Sequence, residues 1–140
     1  INDKIKITPF LVPHRDEYSE TVGFNILGPN KSVLFIPDID KWDLWQKDII
    51  AEIERNDHLF LDGTFFDGTE LPGRDINQIP HPFVVESMQL FANLSLDEKQ
   101  KIHFIHFNHT NPLYRPGSNA SKTLINAGLR VAKQGQIFNL

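Results

Sequence analysis

The sequence predicts a layered α/β (α+β) fold, a mixed β-sheet with helices packed on one face. Two observations carry that expectation. Short β-branched apolar runs alternate with helix-period stripes, in the order β-β-β-α-β-α-β-α-β-β. Clusters of Gly, Pro, Asn and Asp punctuate them.

The first third reads as strands. Residues 5–12 are apolar and β-branched, 21–27 follow, and 32–36 form a short apolar run after Gly-Pro-Asn-Lys, stopped by Pro37. Apolar residues at 42, 45, 49, 50 and 53 predict a helix over 42–55, with Asp40 as its N-cap. A buried-type strand over 58–61 ends at Asp62-Gly63-Thr64. Residues 63–81 are a long Gly/Pro/Asp-rich loop, a length more often functional than ornamental. Pro82 suits the first turn of a helix over 82–94. Residues 101–107 read as a strand, 118–127 as a short helix stopped by Gly128, and 129–140 as two short strands joined around Gly135.

At 140 residues, 40% hydrophobic and 23% charged, the chain has the length and composition of one globular domain. A formal net charge of −4 without a basic stripe argues against nucleic-acid binding. The absence of cysteine removes disulfides, thiolate chemistry and Cys-type zinc sites. No run reaches the ~20 apolar residues of a membrane span. The expectation is a soluble chain, in the cytoplasm or periplasm of a bacterium, with no compartment assigned.

The chemistry-bearing residues share a position. His14, Asp38, Asp62 and the pair His106 and His109 each fall at or just beyond the end of a strand, where a sheet can gather residues distant in sequence. Imidazole and carboxylate together suit zinc, iron or manganese. Ordinary readings stand beside this one: His14 as an exposed turn residue, Asp62 as a turn aspartate, His81 as a helix start. Alternation places Ile102, Phe104 and His106 on one face of their strand, and His103 on the other, where it is structural or outward. Asn108 and Asn111 are placed to hold the loop after His106 through backbone hydrogen bonds.

Five segments occur in order: Val12-Pro13-His14-Arg15-Asp16-Glu17 with Thr21-Val22-Gly23-Phe24, then Leu34-Phe35-Ile36-Pro37-Asp38-Ile39-Asp40, then Phe60-Leu61-Asp62-Gly63-Thr64-Phe65, then Ile79-Pro80-His81-Pro82 with Glu86-Ser87, and Phe104-Ile105-His106-Phe107-Asn108-His109-Thr110-Asn111-Pro112. Together they resemble the metallo-β-lactamase superfamily, in the branch similar to pyrroloquinoline quinone (PQQ) biosynthesis protein B, over essentially the whole chain.

That resemblance implies a four-layer αββα sandwich of which residues 1–140 are the C-terminal half. It implies His14, Asp38 and His106 as metal ligands, with Zn(2+), one or two ions in the complete protein, or iron or manganese. It gives His81, Asp62 and His109 as the candidate catalytic residues, His81 handling substrate or leaving group and Asp62 supporting the ligands. The His-x-His-x-Asp-His motif of the N-terminal half is absent from the sequence, and Pro37 replaces the usual Gly before Asp38. The function implied is a metal-dependent hydrolase acting on a small molecule, completed by the missing half or by a homodimer mate. The alternatives are an iron-dependent oxidative enzyme, or a non-catalytic half-domain that works as an interaction module with a partner chain.

Overall fold

The computed structural model describes residues 4–16 and 18–140; Glu17 of the first motif lies outside them. Six strands form one sheet in sequence order: β1 (Lys6–Leu11), β2 (Val22–Leu27), β3 (Ser32–Ile36), β4 (His58–Asp62), β5 (Ile102–Ile105) and β6 (Arg130–Val131). The first three pair antiparallel and the rest parallel, so the sheet is mixed, as expected. Parallel pairing requires crossovers, and helices supply them. These are α1 (Ile49–Arg55) between β3 and β4, α2 (Val84–Leu90) and α3 (Leu96–Gln100) between β4 and β5, and α4 (Asn119–Asn126) before β6.

Register sorts the side chains. Leu34, Leu59 and Ile102 stand side by side, as do Ile36, Leu61 and Phe104, and all six are fully buried. They form one core with Ile49 and Ile53 of α1, Val84 of α2 and Leu124 of α4. The helices therefore cover this face. Each such side chain contributes roughly 1.5–3 kcal/mol through burial.

Three expectations need correction. The stripe over 42–55 is not one helix: Trp42–Leu44 is a 3-10 turn, Trp45 is extended, and α1 starts only at Ile49. Its N-cap is Asp48, whose carboxylate accepts from the Ile50 amide at 2.9 Å, and Asp40 caps nothing. The helix expected over 82–94 ends at Leu90, and α3 follows behind a capping box in which Ser95 and Glu98 satisfy each other's amides. The final hairpin is absent: Arg130–Val131 is a strand, but residues 136–140 join no ladder.

The opposite face of the sheet is aromatic. Phe24, Phe35, Phe60 and His103 lie in one row across β2 to β5, with ring centroids 6.5, 6.3 and 5.4 Å apart. Phe138 crosses this face, its ring 5.0 Å from those of His58, Phe60 and His103. The terminal segment is thus spent on packing rather than pairing. His103 is 2% exposed, and its Nε2 has no hydrogen-bond partner. Its structural reading is correct.

Burial lowers the His103 pKa from its ordinary 6.5, with the nearby Arg130 and His58 acting in the same direction. The native chain therefore binds fewer protons than the unfolded one. That stability is fully present above pH 6.5 and is lost as pH falls towards the native pKa. His103→Phe preserves the ring packing and removes the titration. Urea unfolding midpoints should fall less for this variant than for the natural chain between pH 7.5 and pH 5.5; equal falls would refute the assignment.

Candidate metal centre

The parallel strands all point their C-terminal ends the same way, and the chemistry collects there. Asp38 and Asp40 follow β3, Asp62 closes β4, and His106 follows β5. His14 arrives from the segment after β1, tied in by the Asp40 amide donating to the Pro13 carbonyl at 2.7 Å. His81 arrives from the end of the long loop, which contains only 3-10 turns, at 68–70 and 76–78.

Asp62 is the hub. Its side chain is fully buried and accepts from four protein donors. Oδ1 takes the Thr64 amide at 2.8 Å and the Thr64 hydroxyl at 2.6 Å; Oδ2 takes the Ile39 amide at 3.2 Å and His81 Nδ1 at 2.9 Å. Burial pushes its pKa up, but the neighbouring His106 and His81 imidazoles and the Thr64 hydroxyl outweigh that and hold it below the ordinary 3.8. The carboxylate is ionised at neutral pH and acts as an acceptor only.

The other groups stand around it. His14 Nδ1 lies 2.9 Å from Asp40 Oδ1, and its Nε2 lies 3.5 Å from Asp38 Oδ2. His81 Nδ1 also approaches Asp38 Oδ1, at 3.3 Å. The His14 and His81 rings are 5.5 Å apart. His106 Nδ1 is 3.0 Å from the Thr64 hydroxyl and 3.7 Å from Asp62 Oδ1. The Asp62 carboxylate raises the His106 pKa above 6.5 despite partial desolvation.

His106 has φ of +60°, the only positive value at a non-glycine among the described residues. A left-handed histidine breaks the alternation expected from the strand, and it is kept only where its surroundings hold it. The hold is visible. The Asn108 amide donates to the Thr64 carbonyl at 2.8 Å, and buried Asn111 donates from Nδ2 to the Gly63 carbonyl at 2.7 Å. Asn111 thus holds the loop as expected, while the Asn108 side chain bonds Thr110 within the turn. Gly63 lets these segments close up: a Cβ there would sit 2.7 Å from the Phe107 ring and 3.1 Å from the Ile105 carbonyl, so one of them would have to shift.

Oxygen and nitrogen atoms of Asp38, Asp62 and His81 lie within 4.8 Å of one another, close enough to share one cation. The donor set suits a transition metal. Asp38 Oδ1 provides a direct sign of fit, being buried with no hydrogen-bond partner. Such an oxygen is costly unless a cation or donor completes it.

The structure therefore brings together His14, Asp38, Asp62, His81 and His106. His109 is exposed in the turn beyond and makes no hydrogen bond or ion pair with them. Two partners escaped the sequence, Asp40 and Thr64. Asp40 was legible only as a helix cap, and the Thr64 hydroxyl only as part of a turn. A cleft of about 550 Å³ opens beside His106, lined by Thr64, Phe107, Asn108 and Tyr114 among others. A larger groove of about 870 Å³ runs by α4 and β6 and touches none of the cluster.

A mixed sheet covered by helices on one face, with carboxylates and imidazoles at its strand ends, defines a metallo-β-lactamase-type half-sandwich. The chain belongs to the β-lactamase superfamily domain family, whose sequence profile matches residues 1–107. It is similar to coenzyme PQQ synthesis protein B of Ruegeria pomeroyi, at 28% identity over 124 residues, and of Gluconobacter oxydans, at 28% over 126. Those matches cover 83% and 86% of this chain but 40% of each relative. The crystal structure of Zn(2+)-bound PqqB from Methylobacterium extorquens superimposes with a TM-score of 0.75 at 23% identity, over 98% of this chain and 51% of that one. The chain thus spans about half the length, or less, of the proteins it matches. No helix among the described residues is long and apolar enough to cross a membrane.

Proposed function

We propose that this chain is the C-terminal half of a metal-dependent hydrolase, with His14, Asp38 and His106 as ligands and zinc as the metal. The observation that supports it best is the way the imidazoles are held. His14 Nδ1 meets Asp40, His81 Nδ1 meets Asp62, and His106 Nδ1 meets Thr64. Metal-binding histidines are oriented in this way by a partner on the second ring nitrogen, and Nε2 is left with its lone pair. Asp38, with one buried oxygen that completes no hydrogen bond, is the carboxylate available to a cation. Asp62 lies close enough to serve as well, but both its oxygens are already taken, so in this reading it anchors rather than ligates.

Held by His14, Asp38 and His106, zinc would supply Lewis acidity to a water or to the oxygen of a scissile ester or amide. His81, fixed between Asp62 and Asp38, is placed to hold a proton for a substrate or leaving group. Nε2, the ring nitrogen not engaged by these carboxylates, is the atom that would do so. The cleft beside His106, about 550 Å³, offers room for a small molecule. His109 has no part in this reading.

The site is completed by a second half-sandwich packed on the part-exposed Phe24, Phe35 and Phe60 side of the sheet, beside the stretch that Phe138 already covers, from the same polypeptide or a second copy. The relatives' extra length and the aromatic character of that face support this. Iron in place of zinc with an oxidative reaction is the competing reading, suggested by the PQQ synthesis relatives' name alone.

Calorimetric titration of the metal-free chain with Zn(II), paired with elemental analysis, tests the core of the proposal. One ion per chain is expected, and no binding up to millimolar zinc would overturn it.

A further inference from the structure

We propose that Thr64 is a positioning residue that fixes the proton of His106 on Nδ1 and so leaves Nε2 as its free lone pair. The inference rests on the reading of His106 as a ligand only for its consequence, not for its geometry. Thr64 is buried, and its hydroxyl touches two groups at once: Asp62 Oδ1 at 2.6 Å and His106 Nδ1 at 3.0 Å. A hydroxyl has one proton to give. Asp62 is a carboxylate already accepting from amides and an imidazole, so it can only accept; the Thr64 proton goes there. The Thr64 oxygen must then receive, and the donor facing it is His106 N–H at Nδ1.

Direct contact cannot substitute for this bridge. Asp62 Oδ1 is 3.7 Å from His106 Nδ1, beyond hydrogen-bond reach. His14 and His81 meet their carboxylates directly, each at 2.9 Å, and need no intermediary. His106 sits in the left-handed conformation, and the Thr64 hydroxyl stands between its Nδ1 and Asp62 Oδ1. Thr64 is itself fixed, because its amide is bound by Asp62 and its carbonyl by the Asn108 amide.

The test uses the metal-free chain labelled with 15N-histidine, at a pH where the imidazoles are neutral. Two-bond proton–nitrogen correlation spectra report which ring nitrogen carries hydrogen. His106 is expected as the Nδ1–H form in the natural chain and in Thr64→Ser, and as predominantly Nε2–H in Thr64→Val. An Nε2–H signal in the natural chain, which needs no variant to fold, overturns the proposal. So does an unchanged Nδ1–H form in a folded Thr64→Val. Zn(II) affinity is the second readout, expected to fall about 10–100-fold in Thr64→Val and to recover in Thr64→Ser. Should the tautomer behave as expected while the natural chain binds no zinc, Thr64 keeps its role and the metal reading fails instead.

Discussion

Asp62→Ala should cost about 3–5 kcal/mol of folding stability, read as a shift in urea midpoint at unchanged m-value. The substitution deletes a side chain that is fully buried, but loss of packing is the smaller part of its effect. It strands the Ile39 and Thr64 amides, the Thr64 hydroxyl and His81 Nδ1, which converge on this one carboxylate. Buried donors without acceptors bear the full desolvation penalty. Asp62 also ties β3 to β4 through Ile39, and β4 to the long loop through His81, so its removal loosens three segments. The pH dependence follows from its lowered pKa. The native carboxyl binds its proton less readily than the unfolded one, so its contribution is whole above the ordinary 3.8 and is lost as pH falls through the native value. The acid limb of the stability curve should therefore be shallower in Asp62→Ala. A variant as stable as the natural chain at pH 7 would show that Asp62 is not the anchor.

What could be read from the sequence was position, and what could not was partnership. His14, Asp38, Asp62 and His106 are legible by position because each sits at or beyond a strand end, and parallel strands deliver such residues to one edge, whereas His81 enters only through the family resemblance. Asp40 and Thr64 were missed because their function lies in a contact 26 or 42 residues away, with His14 and His106 respectively. No local pattern encodes that. Asp40 even offers a competing local role, as a cap to a helix that in fact begins nine residues later, behind Asp48.

The helix over 42–55 failed for a related reason. Trp42, Trp45, Ile49 and Ile53 are all buried, so the stripe recorded burial correctly but not continuity. A 3-10 turn and a short helix can bury the same residues. Ser95-Leu96-Asp97-Glu98 carries an explicit capping-box signature, but the apolar periodicity used to place the helices does not mark α3. The final strand was not legible, because Ile137 and Phe138 have strand-like composition whether they pair or lie across an aromatic face.

Asp38→Ala should do the reverse of Asp62→Ala: leave the metal-free fold nearly intact and abolish zinc binding, lowering affinity by at least about 100-fold. Asp38 is part-exposed, receives no backbone hydrogen bond, and has one buried oxygen that completes no hydrogen bond although His81 Nδ1 stands 3.3 Å away. It contributes little to holding the chain together and is suited to a cation that would complete it. Asp40→Ala belongs between the two. It removes the acceptor at His14 Nδ1, frees the ring to rotate and change tautomer, and should weaken zinc about 10–100-fold, in the range that partners of ligating histidines carry. The order Asp38 beyond Asp40 in zinc affinity, with Asp62 first in stability, separates ligand from orienting group from structural anchor. Calorimetric zinc titrations and urea midpoints on the same three proteins measure it. Wild-type zinc affinity in Asp38→Ala would remove that carboxylate from the ligand set and move the assignment to Asp62 and His81, the remaining members of the closest donor group.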